Sequence, residues 1–190
     1  MSQPDRVMAL PVPDRNDVDD FARDLFAKCD EKLGMVPNVL RAFAARPKKL
    51  RSFSLFYNEL MLGDSGLSKL EREMIAVVVS SINRCYYCLV AHGQAVRNLS
   101  KDPVLGELLV MNYRTAELSP RHRAMLDFAA KLTENGHLVA ETDRQALRDA
   151  GFSDDDIFDI ADVAAFFNYS NRIAHGLEVV PNRDYHGMDR

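Results

Sequence analysis

Ser68-Lys69-Leu70-Glu71-Arg72-Glu73-Met74-Ile75-Ala76-Val77-Val78-Val79 decides between a helical and a sheet architecture. Its second half, Ile75 to Val79, reads by propensity as a buried strand. Its first half reads otherwise. Ser68 followed three residues later by Glu71 has the pattern of a capping box, in which the serine hydroxyl and the glutamate carboxylate each take up an amide of the helix start. The run also continues to Asn83, and that length favours a helix. Glu71 then has a structural task. Glu73 is not needed for the cap, and it sits on a helix that leads directly into two cysteines.

The remaining segments are helical as well. Pro4, Pro11 and Pro13 hold Met1 to Arg15 extended and prevent a helix there, so residues 1–15 are expected to form an arm laid across a neighbour. Asp17 to Leu33 carries Val18, Phe21, Leu25, Phe26 and Leu33 at helical intervals and stops at Gly34. Pro37, Pro47 and Pro103 can each start a helix, and Ser119-Pro120 is an N-cap followed by proline at the first helical position. Thr142 to Ala150 ends at Gly151, and Ser153 begins a long helix to about Leu177. No hairpin signal separates strand-like runs. The expected fold is all-α, with residues 1–190 as one domain.

The chemistry is concentrated in Cys85-Tyr86-Tyr87-Cys88-Leu89-Val90-Ala91-His92. On a helix, residues three and four apart share a face, so Cys88 lies between Cys85 and His92. A thiol becomes reactive as the thiolate, and its pKa of roughly 8.5 falls beside an imidazole or at a helix N-terminus. Cys88 is therefore the candidate nucleophile. A sulfenic acid formed on it by peroxide can condense with a thiol one turn away, which makes Cys85 the resolving partner. Glu73 can hold the His92 tautomer and accept its proton, the logic of an orienter, a base and a nucleophile.

Glu73, an eleven-residue gap, then Cys85, Cys88 and His92 resembles the E-x11-C-x-x-C-x-x-x-H signature of the AhpD-like alkylhydroperoxidases of the carboxymuconolactone decarboxylase superfamily. The Pro-rich N-terminal arm and the Leu67-Ser68 start look like the peroxidase-related branch. The resemblance implies an AhpD-like helical bundle and reduction of hydrogen peroxide or organic hydroperoxides. It assigns attack to Cys88, resolution to Cys85 and a proton relay to Glu73 and His92. It further implies an external dithiol reductant, lipoyl- or thioredoxin-like, a homo-oligomer, and no cofactor. The best-known members carry His immediately before the second cysteine; here Tyr87 stands there. The superfamily's lactone decarboxylase chemistry, which needs no cysteine, and a non-catalytic redox sensor are the alternative functions.

Other readings of the motif are weaker. Structural zinc wants four ligands, and no second Cys or His pair stands at zinc-finger spacing. Haem attachment needs His where Leu89 stands, and a thioredoxin fold needs strands around the motif. Two inert buried thiols with a core histidine would explain any one of these residues, but not their joint spacing. Cys29 has no partner motif. Asp156, Asn168, Asn171 and His175 repeat the spacing of Glu73, Cys85, Cys88 and His92, which reads as a second helical unit whose thiols have become amides; a capping box from Ser153 to Asp156 competes with that reading.

Composition excludes several classes. A chain of 190 residues with 47% hydrophobic content can build one substantial core. The net charge of -4 offers no basic face for nucleic acid. No stretch approaches the roughly 20 apolar residues that span a bilayer. With no apolar leader core and three cysteines, an odd number, a reducing cytoplasm is the expected location.

Overall fold

Caps and prolines set the start of most helices in the structure, a computed structural model that describes residues 4–190. Asp19 accepts an amide of α1 (Asp20–Leu33), which ends at Gly34 in the left-handed region. After α2 (Asn38–Ala44), Pro47 is the first residue of α3 (Pro47–Leu62). Ser68 caps α4 (Lys69–Ile82), and the motif lies on α5 (Tyr86–Ser100). Asp102 caps α6 (Pro103–Asn112), Ser119 caps α7 (Pro120–Asn135), and α8 (Glu141–Asp149) leads through Gly151 to α9 (Asp154–Gly176), capped by Ser153. Every regular element among the described residues is a helix, so the fold is all-α.

The capping box resolves the ambiguity of the Ile75 to Val79 run. Ser68 Oγ accepts the Glu71 amide at 3.1 Å, and Glu71 Oε2 accepts the Ser68 amide at 2.8 Å. Burial opposes ionisation of Glu71, but these bonds and one from Arg121 Nε to Oε1 at 2.9 Å hold its carboxyl below the usual range. Met74 through Val79 are 0% exposed. This helix is β-branched because α5, α6, α7 and α9 enclose it on all sides, where packing rather than propensity decides.

A second, smaller apolar cluster surrounds the motif. Val7, Met8, Ala42, Tyr87, Ala174 and Val179 pack with Cys85 and Cys88. This corrects the expectation for the arm, whose first three residues lie outside the described residues. Val7 and Met8 are buried in the chain itself, and the arm's backbone pairs with the segment after α9: the Ala9 amide donates to Leu177 O at 2.9 Å and the Val180 amide to Val7 O at 3.0 Å. The arm is not helical, but its backbone groups can still be satisfied by a distant segment of the same chain. The sequence pattern could not show that residues 177–180 supply that segment.

The spacing repeat is also corrected. Asp156, Asn168, Asn171 and His175 lie on one unbroken helix, whereas Glu73 and Cys85 lie on either side of the break between α4 and α5. At 1.5 Å per residue, twelve helical residues separate Asp156 from Asn168 by about 18 Å, so the copy cannot reproduce the constellation. Asp156 serves the α9 capping box instead.

Candidate active site

The break between α4 and α5 brings the motif together. Asn83, Arg84 and Cys85 reverse the chain, with the Cys85 amide donating to Ser80 O at 2.9 Å and Arg84 at φ 55°, a left-handed conformation that disfavours a side chain. That turn is clamped from α9. Asn83 Nδ2 donates to Asn168 Oδ1 and Asn171 Oδ1, both at 3.0 Å, Asn171 Nδ2 donates to Ser80 Oγ at 3.0 Å, and His175 Nε2 donates to Asn83 O at 3.0 Å. The amides that spacing alone suggested were relics of thiols are the groups that hold the real thiols in place.

Cys85 is the N-cap of α5, and Cys88 stands one turn on. Their sulfurs are 3.0 Å apart as free thiols, both residues 1% exposed. The hydrogen bond between the sulfurs separates their acidities. It stabilises the Cys85 thiolate, and with the Cys88 amide at the helix N-terminus and smaller contributions from His175 and His92 it brings Cys85 down to about 7 against the opposing effect of burial. The same bond, with burial, pushes Cys88 well above the ordinary thiol range, although Asn171 and Ser80 offset part of this. Spacing pointed to Cys88 as the thiol with the depressed pKa. The sulfur contact, and after it the helix N-terminus, favour the Cys85 thiolate instead.

His92 and Glu73 do meet. His92 Nδ1 lies 2.7 Å from Glu73 Oε2, with both side chains little exposed, and the edge of the imidazole packs on Phe167 with centroids 4.6 Å apart. Among the described residues no hydrogen bond joins His92 to either sulfur. A carboxylate at Nδ1 holds the imidazole with its second nitrogen available for proton transfer.

Three tyrosines lie near the motif, and sequence reasoning missed two of them. Burial pushes the phenols of Tyr57 and Tyr87 well above their ordinary range and that of Tyr185 up to about 12, so all three are neutral. Tyr87 Oη accepts the Val39 amide at 3.2 Å. Tyr57 comes from α3 and Tyr185 from the tail, where Arg97 of α5 donates to Tyr185 O at 3.2 Å and Met188 O at 3.1 Å; no local pattern links these segments to the motif. An open cavity of about 750 Å³ ends on Cys85 and Tyr87. Cys88 does not line it. Among the described residues no three His, Cys, Asp or Glu side chains cluster as metal ligands, and no helix is long and apolar enough to cross a membrane.

Residues 47–131 match the carboxymuconolactone decarboxylase family. Among solved structures, an uncharacterized peroxidase-related protein from Silicibacter sp. TM1040 is 57% identical over 100% of both chains with a TM-score of 0.96. An uncharacterized peroxidase-related protein from Ralstonia eutropha JMP134, described as an alkylhydroperoxidase AhpD core, is 42% identical over 98% of both chains, also with a TM-score of 0.96. The debrominase Bmp8 is 16% identical over 92% of both chains, with a TM-score of 0.79, and shares the fold. No curated protein matches the chain.

The inverted acidities can be read directly from alkylation rates. Cys85 should react with iodoacetamide as the thiolate, with a rate that rises through a midpoint near pH 7 and falls away below it. Cys88→Ala removes the main stabilising donor, so the midpoint should move up toward the roughly 8.5 of an ordinary thiol. A midpoint near that ordinary value in both proteins would contradict the assignment.

Proposed function

Because this chain belongs to the AhpD-like, peroxidase-related branch of the carboxymuconolactone decarboxylase family, we propose that it reduces hydrogen peroxide or organic hydroperoxides through a Cys85/Cys88 dithiol–disulfide cycle. The observation that carries the reading is the 3.0 Å contact between two free sulfurs, one of them favoured as thiolate. A sulfenic acid on either would meet its resolving thiol with almost no movement.

A thiolate attacks one peroxide oxygen, the O–O bond breaks, and the departing alkoxide or hydroxide takes a proton that His92, oriented by Glu73, can supply. The second thiol attacks the sulfenic sulfur, a disulfide forms and water leaves. An external dithiol, lipoyl- or thioredoxin-like, restores both thiols through a mixed disulfide and is itself oxidised. The resemblance gives the attack to Cys88 and the resolution to Cys85. A second reading exchanges these roles, favoured by the cavity that reaches Cys85 and by its lower pKa. Neither requires a metal or organic cofactor.

We place the protein in the cytoplasm, where its thiols stay reduced, and as a homo-oligomer. Phe158 at 70% and Tyr169 at 50% exposure on α9, with Leu55 and Phe56 exposed on α3, support the latter. Sedimentation should then give a species heavier than the 21.4 kDa chain, and a clean monomer at micromolar concentration would refute it.

Steady-state peroxide consumption with several dithiols tests the function. Cys85→Ser and Cys88→Ser should each abolish turnover, and the variant that still forms a dimedone-trappable sulfenic acid identifies the attacking sulfur as the one it retains. His92→Ala and Glu73→Gln should lower turnover on the order of a hundredfold, the usual weight of a positioned acid–base group. Inertness to peroxide with both thiols free would favour the decarboxylase-type alternative, and oxidation without turnover a redox sensor.

A further inference from the structure

The cavity that ends on Cys85 is larger than a peroxide needs and carries more cation than anion. Its volume, about 750 Å³, lies within the roughly 300–1,000 Å³ of sites that enclose small organic molecules. Hydrogen peroxide would leave nearly all of it empty. The inner wall, including Ala174, Val179 and Pro181, is apolar and buried. The rim is charged.

Five titratable side chains line that rim beside the tyrosines and Cys85: Arg6, His175, Glu178, Arg183 and His186. Glu178, the one acid, is already ion-paired with Arg6 at 2.5 Å. His175 Nε2 is engaged with Asn83 O, and His186 Nε2 lies 3.4 Å from Tyr86 Oη. Arg183 is exposed and has no carboxylate partner among the described residues. The mouth therefore holds an uncompensated guanidinium on a chain of net charge -4. A cleft focuses such a field, and a guanidinium matches a carboxylate in two parallel hydrogen bonds.

We propose that this cavity takes a carboxylate-bearing organic molecule with an apolar body, its carboxylate at Arg183 and its reactive end, a hydroperoxide or a thiol, at the Cys85 sulfur. The proposal rests on the second reading given above, in which Cys85 is the sulfur that meets an outside reagent. As a hydroperoxide, the molecule gives one oxygen to sulfur and leaves as the alcohol. As a thiol, its thiolate attacks the Cys85 sulfur of the disulfide, the electron pair of the broken S–S bond passes to Cys88, and a second thiol displaces Cys85 from the mixed disulfide.

Three matched pairs of reagents, each differing in charge, test this in the full chain, in Arg183→Gln and in Glu178→Gln. The pairs are linoleic acid hydroperoxide against its methyl ester in turnover, 3-mercaptopropionate against 2-mercaptoethanol in reduction of the disulfide, and iodoacetate against iodoacetamide in alkylation of Cys85. The anion-to-neutral rate ratio for alkylation, and for at least one of the other pairs, should fall about threefold in Arg183→Gln, the scale of one partly exposed ion pair. It should rise in Glu178→Gln, which frees Arg6. The pair that responds tells whether the anion is the oxidant or the reductant. The alkylation pair needs no turnover, so an inactive protein that still shows the Arg183-dependent preference in alkylation and thiol exchange would sink the peroxidase reading and keep this one. Alkylation ratios unchanged by Arg183→Gln would overturn the proposal, as would an alkylation preference with none in either other pair.

Discussion

The hydrogen bonds from the Asn83 carboxamide to Asn168 and Asn171 are the contact on which the site depends. They offset the strain of the turn they hold, since a left-handed residue other than glycine costs about 1–2 kcal/mol and Arg84 is one. They also fix where α5 begins. That point decides which cysteine is the N-cap, and the N-cap position with the sulfur contact decides which thiol ionises first. Because Asn171 is 0% exposed, removing one partner would leave buried polar groups unmatched, at about 1–3 kcal/mol each. The long helix α9 is thus a backboard for the redox turn as well as a core element.

Around that turn, burial and acidity divide the work. Cys85 faces the cavity with its thiol near neutrality, while Cys88 lies behind it in a closed environment with Asn171 and Ser80 against its sulfur. A dithiol in which one sulfur lines the cavity and the other does not suits exchange with an outside thiol, because attack is directed to the sulfur that the cavity reaches. Tyr87, at the position where the best-known relatives carry histidine, has its hydroxyl occupied by the Val39 amide and its ring in the small cluster. Its observed contacts are those of packing. In the proposed cycle, proton transfer is the task of the Glu73–His92 pair.

Local chemistry was legible in the sequence and long-range closure was not. The Ser68–Glu71 box, the Ser119-Pro120 cap and Gly151 locate helix ends because each acts within a few residues. The Glu73, Cys85, Cys88, His92 spacing named two pairs that meet, Cys85 with Cys88 and Glu73 with His92, since a helix, a three-residue break and a second helix return the chain on itself. The arm was misread because its partner, Leu177 to Val180, is about 170 residues away in the chain and carries no pattern of its own. Asn168, Asn171 and His175 were noticed, but their repeat spacing suggested ancestry when their role is contact. Which thiol has the lower pKa depended on where the helix starts, a boundary that sequence patterns leave uncertain by a few residues.

The central claim, that Cys85 and Cys88 form a working redox pair, is tested most directly by intact mass and thiol titration after one equivalent of peroxide on the reduced chain. The account predicts the loss of two thiols and of about two hydrogens in mass, fully reversed by a dithiol. A gain of oxygen at a single cysteine with the other thiol still free, or stoichiometric zinc on the pair and no change in mass, would contradict it.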